Sequence, residues 1–350
     1  MTAQELNDTA RMLVVGGKGL LAMDESNATC DKRFAEWGIP QTEEARRSYR
    51  ELLVTTPQLS ECISGVILYD ETIREHRDDG ASFVKVILDA GIIPGIKVDT
   101  GAKDLAGHAG EKVTEGLDGL RTRLQEYFQM GARFAKWRAV IGIGAGIPTH
   151  ACIDANAHAL ARYAVLCQEA GLVPIIEPEV MMTGAHTLER CRKTTDAVLL
   201  SVFEQLDIQG ALLEGLILKC NMVLPGLSCV TQESVDVVAD ATVECLLRVV
   251  PAAVPGIAFL SGGQSAELAS ARLNAMNLRS KSTRSHLPWR LTFSFARAIQ
   301  QPAMQIWQGN PAHAVEAQEA LSRRARCNKA ALTGTYTPAM EGATADYQRA

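Results

Sequence analysis

Eight short runs rich in β-forming residues recur along the chain, and helix-period segments separate most of them. The runs are Gly19–Met23, Ile63–Tyr69, Ile92–Val98, Phe134–Ile141, Val173–Pro178, Gly215–Met222, Gly256–Leu260 and Arg290–Phe295. Strand and helix in alternation imply parallel strands joined by helical crossovers. Eight such units in 350 residues predict an α/β fold of one kind, a closed (β/α)8 TIM barrel in a single domain, rather than an open sheet. The helical segments have readable ends. Pro40–Leu53 starts at Thr42 with Glu43 and Glu44 in its first turn, and Asp154–Ala170 stops at Gly171. Leu188–Leu206 carries Leu188, Cys191, Val198, Leu199, Val202 and Phe203 at helical spacing, and Asn310–Arg326 opens on an Asn cap followed by Pro311. No low-complexity linker divides the chain, so the barrel is expected over residues 1–334. Beyond Gly334 small and polar residues dominate and Pro338 and Gly342 interrupt any period, so 335–350 reads as a mobile tail.

Composition removes several classes of function. At 47% apolar residues the chain can bury a core without disulfide or metal staples. A net charge of -5 and the lack of a basic stripe argue against nucleic acid as a partner. The nine cysteines include no C-x-x-C pair, and Cys30, Cys62, Cys152 and Cys167 stand in apolar or helical contexts, the pattern of reduced core thiols. Met1–Asp8 has no signal-peptide pattern. The longest uncharged stretches, Ala139–Ile153 and Val249–Gln264, are short of a membrane span and broken by Gly and Pro. A cytoplasmic protein without membrane contact is expected. Gly142-Ile143-Gly144-Ala145-Gly146 after the fourth run is the one hint of a dinucleotide site, but Ile147 stands where the third glycine is needed and Pro148 follows, so it reads as a glycine-rich loop.

The position of charge inside apolar strands points to chemistry. Asp24 ends the first run, Lys97 and Asp99 the third; Lys136 and Arg138 sit in the fourth, Glu177 and Glu179 at the end of the fifth, and Lys219 in the sixth. Asp70, Glu71 and Asp99 read as ordinary solvated strand ends. Lys136 and Lys219, set among apolar neighbours, do not, because an unpaired buried ammonium is costly. Residues two apart on a strand share a face, and barrel strands converge at one mouth, so Asp24, Lys136, Arg138, Glu177 and Lys219 are expected in one pocket. A lysine there, deprotonated with help from desolvation and a second cation, can attack a ketone and form a Schiff base. Glu177, Glu179 and Asp24 are the groups available for proton transfer. Leu260-Ser261-Gly262-Gly263-Gln264 places two glycines between a strand and a helix, where backbone N–H groups can face an anion. Phe293-Ser294-Phe295-Ala296-Arg297 brings an arginine to the end of the eighth run. A phosphate site after strands seven and eight recurs in such barrels.

These stretches, together with Gly17–Ser26, Gly95–Asp99, Phe134–Arg138, Pro174–Glu179 and Leu213–Lys219, resemble the class I fructose-bisphosphate aldolases in order and over almost the whole chain. The resemblance implies a metal-independent, cofactor-free lyase of glycolysis and gluconeogenesis. It would cleave fructose-1,6-bisphosphate to dihydroxyacetone phosphate and glyceraldehyde 3-phosphate, with Lys219 as the Schiff-base residue. Glu177 would be the main general acid and base, Glu179 would orient the lysines, Asp24 would meet the reacting hydroxyl, and Lys136 would contact substrate and lower the pKa of Lys219. Ser261, Gly262, Gly263, Ser294 and Arg297 would hold one phosphate; Arg33, Ser26, Lys97 and Arg138 are candidates for the other. A small sugar phosphate is the implied partner and a homotetramer the implied assembly. Two departures stand out: Cys220 replaces the family's proline after the lysine, and Tyr347 is not the terminal residue. Alternatives are a sedoheptulose-bisphosphate or transaldolase-like Schiff-base enzyme, or a scaffold that kept the fold. A metal-dependent aldolase finds no zinc-type cluster in the seven histidines at 76, 108, 150, 158, 186, 286 and 313.

Overall fold

The eight runs form eight strands of one parallel sheet that closes on itself. The computed structural model describes residues 2–280 and 287–342; His286 and Tyr347 lie outside them. The barrel strands are β1 (Gly19–Ala22), β2 (Ile63–Leu68), β3 (Ile93–Lys97), β4 (Phe134–Ile141), β5 (Val173–Val180), β6 (Ile217–Cys220), β7 (Gly256–Phe259) and β8 (Arg290–Phe295). Each pairs with the next in sequence, and β8 returns to β1 through Leu20 with Ser294 and Leu21 with Phe295. The expected boundaries hold to within a few residues. The fifth strand runs two residues past Pro178, which costs one ladder donor but not the strand. The sixth starts later, because Leu213–Gly215 forms a 3-10 turn first.

Two cores hold the barrel. An N-terminal helix, α1 (Ala3–Leu13), begins in a capping box in which Thr2 and Glu5 satisfy each other's backbone N–H groups. It lays Leu6, Ala10 and Leu13 against Leu20, Ile67, Phe134, Val173, Ile175 and Ile217, an inner core at the N-terminal end of the barrel. The Phe134 ring fills the middle of that space; a Cβ on Gly95 would come within 2.2 Å of it. Removing such a ring costs about 3–5 kcal/mol. The outer core lies between strands and helices, where Trp137 packs on Tyr163 with ring centroids 5.5 Å apart. Together the two cores fix the C-terminal ends of the strands, which are left to polar residues.

Several expectations need correction. The helix expected from Asp154 begins four residues earlier, at His150, because Thr149 caps it through Cys152 N and is itself held by Glu111. A short antiparallel hairpin, Gly101–Asp104 with Lys112–Glu115, follows β3; its residues are mostly exposed and carry no apolar period to announce it. The glycine-rich segment after β4 is a loop, as expected, closed by a bridge between Gly144 and Ile147. The chain does not leave the barrel at residue 335. Tyr336 and Glu341 are buried, the Tyr336 hydroxyl donates to Glu341 at 2.8 Å, and Glu341 pairs with Arg324, so 335–342 packs on the domain. No helix among the described residues is long and apolar enough to cross a membrane.

Candidate active site

Climbing each strand in steps of two, the inward face changes from apolar to ionic. Phe134 is followed by Lys136 on β4, Ile175 by Glu177 on β5, Ile217 by Lys219 on β6, Gly95 by Lys97 on β3 and Ala22 by Asp24 just past β1. The sheet's register sets these residues side by side: Lys97 pairs with Lys136, and Arg138 with Glu177. The strand period of two, applied around a closed barrel, thus turns scattered charges into one cluster.

Glu177 is its centre. Lys219 Nζ lies 2.9 Å from Glu177 Oε1, and Lys136 Nζ lies 3.2 Å from Oε2 and 2.7 Å from Asp24 Oδ2. Lys136, Glu177 and Lys219 are each 3% exposed. The two ammonium groups therefore share the two oxygens of one carboxylate. Oε2 meets Lys136 as an ion pair without hydrogen-bond alignment and accepts no hydrogen bond, so a buried acceptor stays open. Burial alone would push both acids up. For Asp24 the charges of Lys136 and Lys219 overcome it and bring the pKa to about 2. For Glu177 the charges of Lys136, Lys219 and Arg138 overcome it and hold the carboxyl below its usual range. Burial likewise opposes the charge on Lys136, but Asp24 and Glu177 prevail and raise its pKa above that of an ordinary lysine. At neutral pH Lys136 is thus a fixed cation between two carboxylates, which suits it to hold substrate oxygens rather than to act as a nucleophile.

A second tier surrounds this cluster. Arg138 pairs with Glu179, which faces that guanidinium instead of the lysines it was expected to orient. Lys97 pairs with Asp99 at 2.8 Å. Asp99 is not the solvated strand end expected: it is 7% exposed and also accepts from the backbone of Gly101 and Arg138. Glu71 is partly buried too, bound by Arg46 and Asn27. Arg33, on the helix Asn27–Ala35, pairs with Glu25, and its Nη2 is buried without a partner. Ser26 caps that helix by backbone position only, its hydroxyl meeting Thr29 at 3.0 Å. Sequence reasoning missed Arg50 and Gln300, which hold Glu25. It also missed Asn221, which receives the Val180 N–H at 3.0 Å and ties the ends of β5 and β6. Arg50 and Gln300 have no strand or motif signal, only Glu25 beside Asp24 as a hint, and Asn221 is a lone polar residue at the end of the sixth run. Cys220 turns into the outer core.

Across the mouth, the turn after β7 meets the end of β8. Gly262 and Gly263 have φ of 59° and 101°, the left-handed region that favours glycine, and a Cβ on Gly262 would press on the Met182 side chain, 2.3 Å from its Cε. A Cβ on Gly263 would lie 3.6 Å from an Arg297 guanidinium nitrogen, which sets the arginine against the turn. Ser261 is buried, and Ser294 Oγ is buried without a hydrogen-bond partner. Two glycines, two serines and an exposed arginine lie at this end of the barrel, and their N–H, hydroxyl and guanidinium groups are of the kind that can bind a tetrahedral oxyanion.

A closed parallel barrel with a buried lysine on a carboxylate at its mouth, and a glycine turn and an arginine across from it, has the groups that Schiff-base chemistry on a sugar phosphate needs. Comparison with known proteins gives the family. The model of class I fructose-bisphosphate aldolase matches residues 5–349. A "probable fructose-bisphosphate aldolase class 1" of Xanthomonas campestris pv. campestris is 55% identical, over 96% of this chain and 99% of that one. A cytosolic fructose-bisphosphate aldolase of Arabidopsis thaliana is 48% identical over 98% and 94%. The solved structure of fructose-bisphosphate aldolase from Plasmodium falciparum, in complex with TRAP and a small molecule inhibitor, superposes with a TM-score of 0.93 at 45% identity, covering 96% of each chain. The chain belongs to the class I fructose-bisphosphate aldolases. It is a carbon–carbon lyase acting on fructose-1,6-bisphosphate, and the transaldolase-like and scaffold alternatives find no support here.

Proposed function

We propose that Lys219 carries the substrate as an imine while Glu177 moves the protons, in a cytoplasmic homotetramer. The observation that supports this most is the 2.9 Å contact between Lys219 Nζ and Glu177 Oε1 inside a site almost closed to water. Glu177 takes a proton from Lys219, and the neutral amine adds to the C2 carbonyl. The new N–C bond forms as one of the nitrogen's protons passes to the carbonyl oxygen, which becomes a hydroxyl. Glu177 then returns a proton to that hydroxyl, which leaves as water, and a protonated imine remains. The C3–C4 bond electrons flow into the imine as the C4 hydroxyl passes its proton to Glu177, again a carboxylate, which holds it for the later protonation at C3. Glyceraldehyde 3-phosphate departs and an enamine is left on Lys219. Protonation at C3 and hydrolysis release dihydroxyacetone phosphate and restore the amine.

The other residues divide by position. Lys136, held charged by Asp24 and Glu177, binds substrate oxygens. Asp24, with its pKa near 2, is a weak base and serves as the anionic acceptor for the C4 hydroxyl hydrogen bond. Ser261, Gly262, Gly263, Ser294 and Arg297 hold the phosphate nearest the keto carbon. Ser26, Arg33, Lys97 and Arg138 hold the far one, which would give Arg33 Nη2 the acceptor it lacks. Glu179 keeps Arg138 in place. Cytosolic plant relatives agree with the cytoplasmic assignment, and the family resemblance with the tetramer. Lys219→Arg tests the assignment, because it keeps a cation for Glu177 yet cannot form the imine. Cleavage of fructose-1,6-bisphosphate should be lost while the variant stays folded. Turnover near that of the unsubstituted protein would refute the role of Lys219.

A further inference from the structure

Four arginines among the described residues are deeply buried: Arg46, Arg50, Arg272 and Arg324, at 9%, 2%, 5% and 4% exposure. Three have carboxylates. Arg46 pairs with Asp31 and Glu71, Arg50 with Glu25, and Arg324 with Glu341. Arg272, on the helix Ala266–Ser280, makes no ion pair among the described residues. Its Nη1 donates to the neutral amide oxygen of Gln264 at 2.8 Å, and its Nε is buried without a partner among the described residues. Burial accordingly pushes its pKa below the usual arginine value. A buried cation with no counter-anion is a standing cost to the fold, and its location suggests what offsets that cost. Gln264 closes the glycine turn: its backbone N–H and its Nε2 both donate to Ser261 O, each at 3.0 Å. Arg272, Gln264 and the Ser261 carbonyl thus form one line of hydrogen bonds behind Gly262 and Gly263. The guanidinium fixes which end of the Gln264 amide faces the turn, and so keeps the Ser261 carbonyl turned back.

We propose that Arg272 is a positioning residue of the phosphate subsite: it sets the Ser261–Gln264 turn through Gln264, and the bound phosphate supplies its counter-charge. This rests on the reading that the glycine turn binds phosphate. No contact between Arg272 and the substrate is required.

The test uses the full-length protein, with inorganic phosphate as probe. Phosphate affinity is read from the rise in melting temperature with phosphate concentration, and kcat and KM are read with fructose-1,6-bisphosphate. Arg272→Met should weaken phosphate binding by roughly 3- to 30-fold, the range for residues that couple to a ligand without touching it. The loss should fall on KM rather than kcat. Without phosphate the variant should melt no lower than the unsubstituted protein, since an unpaired buried charge has gone. Arg272→Lys, which keeps the charge, should recover most of the affinity. If Arg272→Met does not fold, Gln264→Met carries the same prediction for affinity. Unchanged phosphate affinity in Arg272→Met, or equal losses in the Met and Lys variants, would overturn the proposal. Arg297→Ala run alongside separates the two levels. If it weakens phosphate binding while Arg272→Met does not, only the role of Arg272 fails; if neither does, the phosphate reading of the turn fails.

Discussion

Replacing Glu75 with Gln should stabilise the protein at alkaline pH and have little effect at acidic pH. Both carboxylate oxygens of Glu75 are buried without a hydrogen-bond partner among the described residues. Burial, with the charges of Glu71 and Glu43 added and those of Arg50 and Arg47 opposed, pushes its pKa from 4.5 up to about 7. The folded state therefore keeps a proton that the unfolded chain has released. Stability is fully present below pH 4.5, falls as pH rises from there, and has lost this contribution above about pH 7. At about 1.4 kcal/mol per pKa unit the ceiling is about 3 kcal/mol. Solvent reaching this half-buried group lowers that to about 1–2 kcal/mol. Gln has the same shape and no charge. Thermal melts of the two proteins should differ little at pH 5 and diverge through pH 7. By pH 8 the variant should lead by about 1–3 °C. A difference that does not change with pH, or a less stable variant at pH 8, would refute the burial argument.

Glu177→Gln should lower kcat by about 10²–10⁴-fold while KM changes far less, since general acid–base catalysis is worth that much; steady-state cleavage kinetics check this, and near-normal turnover would move the role to Asp24. Arg297→Ala should act mainly on KM, by about 10- to 150-fold if a charge-assisted contact of about 1.5–3 kcal/mol is lost, and unchanged affinity for dihydroxyacetone phosphate would place the phosphate elsewhere. Because the imine itself is the electron sink, EDTA should leave cleavage intact; loss of activity restored by zinc would contradict the mechanism.

The barrel was legible in the sequence because each strand is a short β-rich run and each crossover a helical pattern. The charged cluster was legible for a related reason: Lys136, Glu177 and Lys219 interrupt apolar strands, and the period of two places them on one face. What escaped has no such signature. Asp99 reads as a strand-end charge until the hairpin after β3 covers it and Lys97 turns onto it. Glu179 and Arg138 are each on the expected face, yet which partner each takes depends on register and side-chain reach. The hairpin at Gly101–Asp104 is made of residues that could equally form a loop. The segment 335–342 looks like a free tail, but a buried arginine on the helix Ala314–Leu332 captures Glu341. Arg272 is one of several polar positions on its helix and gains meaning only when Gln264 is seen against it.

We propose that Lys219, and not Lys136, bonds to the substrate. The two lysines share one carboxylate and are equally buried, so turnover alone does not separate them. Incubating the protein with dihydroxyacetone phosphate, reducing with borohydride and mapping the modified peptide by mass spectrometry does. One adduct per chain is expected, on Lys219, absent in Lys219→Arg and still formed, at a lower rate, in Lys136→Met. An adduct on Lys136, or one that survives Lys219→Arg, would contradict it.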